Sequence, residues 1–487
     1  MPQQDSVERI NIHDSTEINQ VADAFRNSLE RIGCHNPFPE AVRIANYPSE
    51  DWLSEVQRRT PSSTGRPLED VLREADEIFS YRISTKHPRF FAFIPSPVSP
   101  MSWLGDSLSS AHNTYAGSSE SGSGVCAVEK SLIAWIAERF GLPSSAGGQF
   151  VSGASMATLT AVAVARDQRL EAELRHRATV YISDESHFCI TKALRVVGIL
   201  DSQIRTIRCD SKYRMDSDHL RRAISEDLAD GFRPFLVVAT CGTTSTGGID
   251  PLNEIADIAD EHGLWMHVDA AYGGSVAFSS THRPLVDGLG RADSIAWDPH
   301  KWLFQTYGCG TILFREKSHP LKSFASTAHF CRDFEDEMEP QNPWNYGIEL
   351  TRPARHMRLW FSLQVLGMDT IDKMIGRGFE LSVLAEGEIK RLADWVILAP
   401  TSLAIVNFRF APHGVDEKLL GQINTHVSKE LAAENIACIL TTLLDGVVGL
   451  RMCTINPRTT DDDIRRVVRA LGSSAQGAYR ELFKARD

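Results

Sequence analysis

From Gly147 onward the chain alternates short apolar runs with amphipathic stretches, and that rhythm leaves few folds open. Gln149–Val151, Val180–Ile182, Phe235–Ala239, Leu264–Val268 and Ser294–Trp297 read as strands rich in β-branched and aromatic residues. Between them lie helical patterns: one over 155–175, one beginning at His187 with apolar Ile190, Leu194 and Val197, and one before Gly263. The last has explicit punctuation, with Asp250 placed to cap, Pro251 at the first helical position and Gly263 as the stop. Such alternation predicts an α/β fold in which helices cover both faces of a mostly parallel central sheet. Thr311–Phe314 adds an edge or antiparallel strand.

The flanks read differently. Residues 1–85 form an N-terminal helical arm, with helices expected over 17–32 and 68–81; 86–370 form the large domain, and 371–487 a small C-terminal α/β domain. An acidic, then Pro- and Asn-rich stretch over 334–353 reads as a long loop, followed by a helix over 355–366. Asp461, Asp462 and Asp463 open the last helix, where negative charge complements the helix dipole, so no metal is expected there. A chain of 487 residues exceeds one ordinary core. Its formal charge of −12 excludes the basic stripe that nucleic acid requires. No apolar run approaches the roughly 20 residues of a membrane span. Nine cysteines without a Cys-x-x-Cys pair, behind a polar N-terminus, lead us to expect a reduced, cytoplasmic setting.

The chemistry is concentrated at strand ends. Asp298-Pro299-His300-Lys301-Trp302 sets an amine beside an imidazole, and His267-Val268-Asp269-Ala270-Ala271-Tyr272 ends another strand in a carboxylate. A lysine after a strand is ordinarily solvated, and an aspartate there is ordinarily a turn residue. Together they match what pyridoxal 5'-phosphate needs: an amine to hold its aldehyde, and a carboxylate to keep its pyridine nitrogen protonated so that the ring accepts electrons. Residues 147–158, GGQFVSGASMAT, pass from strand through small residues into a helix whose backbone N–H groups and Ser155 hydroxyl could bind the 5'-phosphate. His187 could stack on the ring, with Thr240, Thr243 and Ala271 as ring neighbours.

HVDAAYGG, DPHKW, HPRFFAF and SGASMAT, in that spacing, resemble the group II pyridoxal-phosphate decarboxylases, which include aromatic L-amino acid, glutamate and diaminobutyrate decarboxylases. The resemblance runs from about His87 to the C-terminal helix. It implies a fold-type I enzyme, homodimeric with shared active sites, its N-terminal arm wrapping the partner. Lys301 is then the Schiff-base lysine, Asp269 the pyridinium partner and His187 the stacking ring. Ala154, Ser155, Asp298 and His300 match phosphate-side positions, and Thr240 and Ala271 ring contacts. The implied reaction decarboxylates an L-amino acid through an external aldimine and a quinonoid, releasing the amine.

The same resemblance places substrate discrimination at Phe93, Ile94, Pro95 and Ser96, and at Tyr115 and Gly117 on the partner side. With Gly117 and Ser118-Ser119-Glu120-Ser121 following, that pocket reads as more polar than an aromatic-specific one. Relatives carry a proton-donating tyrosine in the loop; the gapless match here is Pro343, and Tyr346 stands nearby. Either a small shift lets Tyr346 serve as the catalytic donor, or protonation comes from elsewhere. Two alternatives stay open: decarboxylation-dependent oxidative deamination giving an aldehyde, and a transferase or cyclase that keeps the carboxylate.

Overall fold

The computed structural model describes residues 15–32, 42–61, 63–95, 97–325 and 342–484, with side chains described for most of them. The chain divides into two compact units, Met1–His87 and Pro88–Asp487.

In the first unit, helices α1 (Ser15–Ile32), α2 (Glu50–Arg58) and α3 (Leu68–Ser80) are the described elements. Ser49 caps α2 by accepting from the Trp52 amide, and Trp52 packs its ring 4.5 Å from Tyr81 while donating to Glu77. Neither α2 nor α3 contains a buried residue, and Leu53, Leu68, Val71, Ile78 and Phe79 are exposed.

The second unit opens with α4 (Pro100–His112) and α5 (Ser123–Arg139), then alternates β1 (Gly147–Val151), α6 (Ala154–Arg169), β2 (Ala178–Ser183), α7 (Cys189–Val196), β3 (Ile204–Ile207), α8 (Ser217–Ala229), β4 (Arg233–Thr240), α9 (Leu252–His262), β5 (Trp265–Asp269) and β6 (Ser294–Trp297). β7 (Gly310–Phe314) and α10 (Ser318–Phe324) follow. The seven strands lie in the order β1-β7-β6-β5-β4-β2-β3. β3, β2, β4, β5 and β6 run parallel, while β7 is antiparallel to both its neighbours, β6 and β1. The expected strand over 311–314 is thus antiparallel but not an edge.

β4 shows why the apolar runs are continuous rather than alternating. Val237 and Ala239 join the core on one face, and Phe235, Leu236 and Val238 join the core on the other, so every position from Phe235 to Thr240 is buried. Helix α9 stops where Gly263 adopts φ 66°, as its sequence predicts. Its start differs. Asp250 does not cap the helix; its carboxylate accepts the amides of Met215 and Thr240 at 2.7 Å each, tying the end of β4 to a neighbouring loop. Two buried amides held in fixed directions outcompete a helix start for the same carboxylate.

The helix expected over 355–366 extends into a 33-residue helix, α11 (Met357–Ile389), kinked at Gly367 with φ 70°. The expected boundary between 370 and 371 therefore falls inside one helix. Beyond it a second sheet, in the order β10-β11-β9-β8, comprises β8 (Trp395–Ser402), β9 (Ile405–Phe410), β10 (Leu440–Leu444) and β11 (Val447–Cys453), all antiparallel. α12 (Glu417–Ala433) and α13 (Asp461–Lys484) pack on it through a core that includes Phe408, Ile423, Val427, Val467 and Leu471. Asp461, Asp462 and Asp463 do stand in the first turn of α13. Among the described residues no helix is long and apolar enough to cross a membrane, and no cluster of metal-ligating side chains occurs.

Candidate active site

The C-terminal ends of β2, β4, β5 and β6 and the start of α6 converge on one cavity of 390 Å³, where open α/β sheets place their ligands. Its wall brings together Ala154, Ser155, His187, Thr240, Asp269, Ala271, Asp298, His300 and Lys301, together with Ile94. They come from sequence positions scattered over two hundred residues; the parallel sheet collects them by ending its strands at one edge.

Asp298 organises the lysine side. Its Oδ1 accepts the Ala154 amide at 2.7 Å, satisfying a donor at the start of α6, and its Oδ2 lies 3.4 Å from Lys301 Nζ and 3.5 Å from His300 Nε2. His300 is fixed from its other nitrogen, Nδ1 lying 2.7 Å from the Cys309 carbonyl. Glycine is required opposite: a Cβ on Gly310 would overlap Gly153 and crowd Asp298 Oδ1 at 2.8 Å.

Asp269 is buried at the end of β5. Its Oδ1 takes the Ala271 amide at 3.0 Å, and its carboxylate lines the cavity. Thr240 Oγ1 is buried without a partner among the described residues. A ring hydroxyl is the kind of group the orphan Thr240 Oγ1 would satisfy, and a protonated ring nitrogen suits the Asp269 carboxylate in the same wall, so the wall fits pyridoxal 5'-phosphate in its polar atoms as well as in its lysine.

His187 lines the same cavity. Its Nδ1 accepts the Cys189 amide at 3.2 Å, which in the neutral ring leaves the proton on Nε2. Phe188 packs against it with ring centroids 4.2 Å apart and the planes tilted by 35°, and Lys192 lies 4.7 Å over Phe188. Burial lowers the imidazole below its ordinary value, with Lys301 and Lys192 adding to the depression and Asp269 and Asp298 opposing it.

Not every sequence candidate meets there. Phe93 adopts φ 51° and is 59% exposed, its carbonyl held by Arg451 Nη1; only its neighbour Ile94 reaches the cavity. Ser96 lies outside the described residues. Tyr115 turns aside to donate to the Leu350 carbonyl at 2.7 Å, and Tyr346 ends a short 3-10 turn, Pro343–Tyr346; neither lines the cavity. Thr243 bonds Thr246 instead of entering the wall.

The wall also holds residues the motifs did not single out for a site role: Glu185, Cys189, Gly242, Thr244 and Tyr272. Tyr272 stacks on Trp302 at 5.2 Å and donates to the Leu403 carbonyl, so the small sheet buttresses the lysine loop. Arg451, on β11, spans the cavity's flank by donating to Thr244 O at 2.7 Å and to Phe93 O. Glu185 and Thr244 had a usable signal, since both follow strand ends that point at the site. Arg451 had none, because only the docking of the second sheet brings it near.

Residues 53–411 match the family described as the pyridoxal-dependent decarboxylase conserved domain. The chain is 35% identical over 401 residues to an aromatic-L-amino-acid decarboxylase of Bacillus atrophaeus, covering 82% of this chain and 83% of that protein. It is 32% identical over 392 residues to an L-2,4-diaminobutyrate decarboxylase of Rhizobium meliloti (strain 1021), covering 80% and 78%. Its fold superposes on the crystal structure of Oryza sativa TDC with PLP and tryptamine with a TM-score of 0.90, at 24% identity, over 96% of this chain and 99% of that one.

Proposed function

Because the chain belongs to the pyridoxal-dependent decarboxylase family, and is thereby a carboxy-lyase that works with pyridoxal 5'-phosphate, we propose that it removes the α-carboxyl group of an L-amino acid and releases the amine, with Lys301, Asp269 and His187 as its central groups. The observation that carries the reading is the meeting of those three side chains in one cavity. When bound, the cofactor supplies a sink for the electron pair left by carbon–carbon cleavage.

Each residue then has a task. Lys301 holds the aldehyde carbon, and Asp298, 3.4 Å from its Nζ, steers the amine. Asp269 Oδ2 keeps a proton on the pyridine nitrogen. Ala154, Ser155 and His300 receive the phosphate end, while Thr240 and Ala271 flank the ring. His187, neutral and carrying its proton on Nε2, presents a flat face to the ring and a donor toward the substrate carboxylate. Ile94 bounds the substrate side chain, with Phe93 and Ser96 beside it in sequence. Tyr346 returns the proton to the α-carbon. We place the enzyme in the cytoplasm as a homodimer in which Tyr115 and Gly117 face the partner's site, the arm over 1–85 wraps the partner, and 86–370 and 371–487 act as large and small domains.

The test is to incubate the cofactor-loaded protein with the twenty common L-amino acids plus ornithine, diaminobutyrate and cysteine sulfinate, measuring carbon dioxide, amine and peroxide together. Carbon dioxide with a matching amine is expected; amino acid consumption without carbon dioxide would overturn the reading. One observation favours a second reading. Tyr346 is not in the cavity wall, and an enzyme whose α-carbon is not protonated promptly passes its electrons to oxygen and yields aldehyde with peroxide. Tyr346→Phe should raise the aldehyde-to-amine ratio if this hydroxyl is the donor, and leave it unchanged otherwise.

A further inference from the structure

The segment that leads into the cavity at Ile94 is stitched to the second sheet, and the stitching changes character just before it arrives. Phe91 donates its amide to the Cys438 carbonyl at 2.9 Å and accepts the Cys453 amide of β11 at 3.0 Å. Two residues on, Phe93 turns to φ 51°, where a side chain crowds its own backbone, and no backbone amide of the described residues meets its carbonyl. Arg451, two residues before Cys453 on β11, donates to that carbonyl from its side-chain Nη1 instead. Its Nε donates at the same time to the Thr244 carbonyl, 2.7 Å away, on the turn that follows β4. Ile94 and Thr244 both line the cavity. One guanidinium therefore joins two stretches of the wall that no backbone hydrogen bond connects among the described residues. Arg451 is only 6% exposed and forms no ion pair with a described carboxylate. Burying a guanidinium in that way costs stability that an apolar side chain of similar length would not. What the charge contributes in return is two strong hydrogen bonds to carbonyls.

We infer that Arg451 is a positioning residue for the amino acid: it holds Phe93 in the left-handed conformation, ties it to Thr244, and so fixes where Ile94 stands in the wall, an inference that rests on the decarboxylase reading above. A phenylalanine left to itself disfavours positive φ by roughly five- to thirtyfold. Without the Arg451 donor that preference reasserts itself, and because the chain direction after Phe93 follows from its φ, Ile94 moves with it. Arg451 is not itself part of the cavity wall, so it acts through the two carbonyls. The cofactor end is held independently. Asp298 is fixed by the Ala154 amide and Asp269 is bonded to the Ala271 amide, and neither contact involves β11. Loss of Arg451 should therefore loosen the grip on the amino acid while leaving the lysine-bound cofactor in place.

The experiment uses the holoenzyme, Arg451→Met, and Phe93→Gly and Phe93→Ala each made with and without Arg451→Met. The same panel of amino acids is titrated into each, following the bound cofactor's absorbance and carbon dioxide release. Arg451→Met should keep the absorbance of lysine-bound cofactor and raise KM, together with the midpoint of the absorbance titration, by about tenfold, with a smaller change in kcat. The comparison at position 93 isolates the backbone. Phe93→Ala and Phe93→Gly both remove the ring, but only glycine takes positive φ freely. With Arg451 present the two should agree in kcat/KM within about twofold; with Arg451→Met the glycine variant should exceed the alanine variant by about fivefold or more. A guanidinium that bound the amino acid directly would lose the same factor in both, and one that served the fold alone would lose cofactor absorbance and kcat together. Either result overturns the inference, as does a wild type whose absorbance answers no amino acid in the panel. Arg451→Lys, whose single ammonium cannot span both carbonyls in the same way, carries the same comparison if the methionine variant does not fold. If amino acids shift the absorbance with this glycine-over-alanine pattern but no carbon dioxide appears, the role of Arg451 stands and the decarboxylase reading falls.

Discussion

Lys301 and His267 make opposite demands on the same few strand ends, and each yields a prediction at the scale of a single side chain. Lys301→Ala should remove both turnover and the absorbance of lysine-bound cofactor, whereas Asp269→Asn should keep some cofactor while lowering kcat by about a hundred- to a thousandfold, since the ring loses its preorganised charge partner. Stopped assays and absorbance spectra check both. His267 is fully buried, its Nδ1 2.9 Å from Ser294 Oγ and its Nε2 unpartnered, and burial depresses it to about 4. Between that value and the unfolded value of 6.5 the unfolded chain binds more protons, so this stabilising contribution is whole above 6.5 and is lost as pH falls toward 4. The stability difference between wild type and His267→Gln, from denaturant titrations, should shrink over that window by up to about 3 kcal/mol. Lys301 and Asp269 stand out in sequence because each sits in a short motif, DPHKW and HVDAAYGG, and His187 because it follows a strand; the structure brings the three into one cavity wall. Glu185 and Thr244 follow strand ends as His187 does, but neither belongs to a motif, so the strand end was the one signal either carried.

Elements were legible wherever burial imposes a pattern, and illegible where a tertiary partner decides. β4 and β5 announce themselves as continuous apolar runs because both faces are covered. The interior position of β7, which is antiparallel as one of its two expected readings had it, and the true partners of Asp250 depend on contacts remote in sequence; local punctuation misled for Asp250. The Arg352–Glu129 pair is of that remote kind. Glu129 on α5 takes the Phe150 amide from β1 and a two-pronged contact from Arg352, which also donates to the carbonyls of Ala116 and Phe150. Burial alone would raise the Glu129 carboxyl, but Arg352 prevails and holds it below the usual range. Because the pair is buried, removing one partner strands the other: Arg352→Ala should cost about 3–5 kcal/mol in urea unfolding. It should also lower turnover, since Arg352 roots the segment that carries Tyr346. Mere surface decoration would show neither effect.

On the scale of the whole molecule, the site is assembled from five separate stretches between residues 152 and 301, with Ile94 and the small sheet's Arg451 closing the flank. A ligand that touches so many stretches at once holds them together. Cofactor at a hundredfold excess over its Kd should stabilise the protein by about 2.7 kcal/mol, seen as a melting temperature that climbs with cofactor concentration. A homodimer should appear in sedimentation, and its dissociation on dilution should carry activity with it. Gly153 and Gly310 press backbone to backbone, so the aspartate between them and the lysine reaches the start of α6 only because no side chain intervenes. That close approach works like a hinge pin of fixed diameter: even an alanine at 310 would lever the phosphate-facing turn away from the sheet, loosening the cofactor through a residue that never meets it.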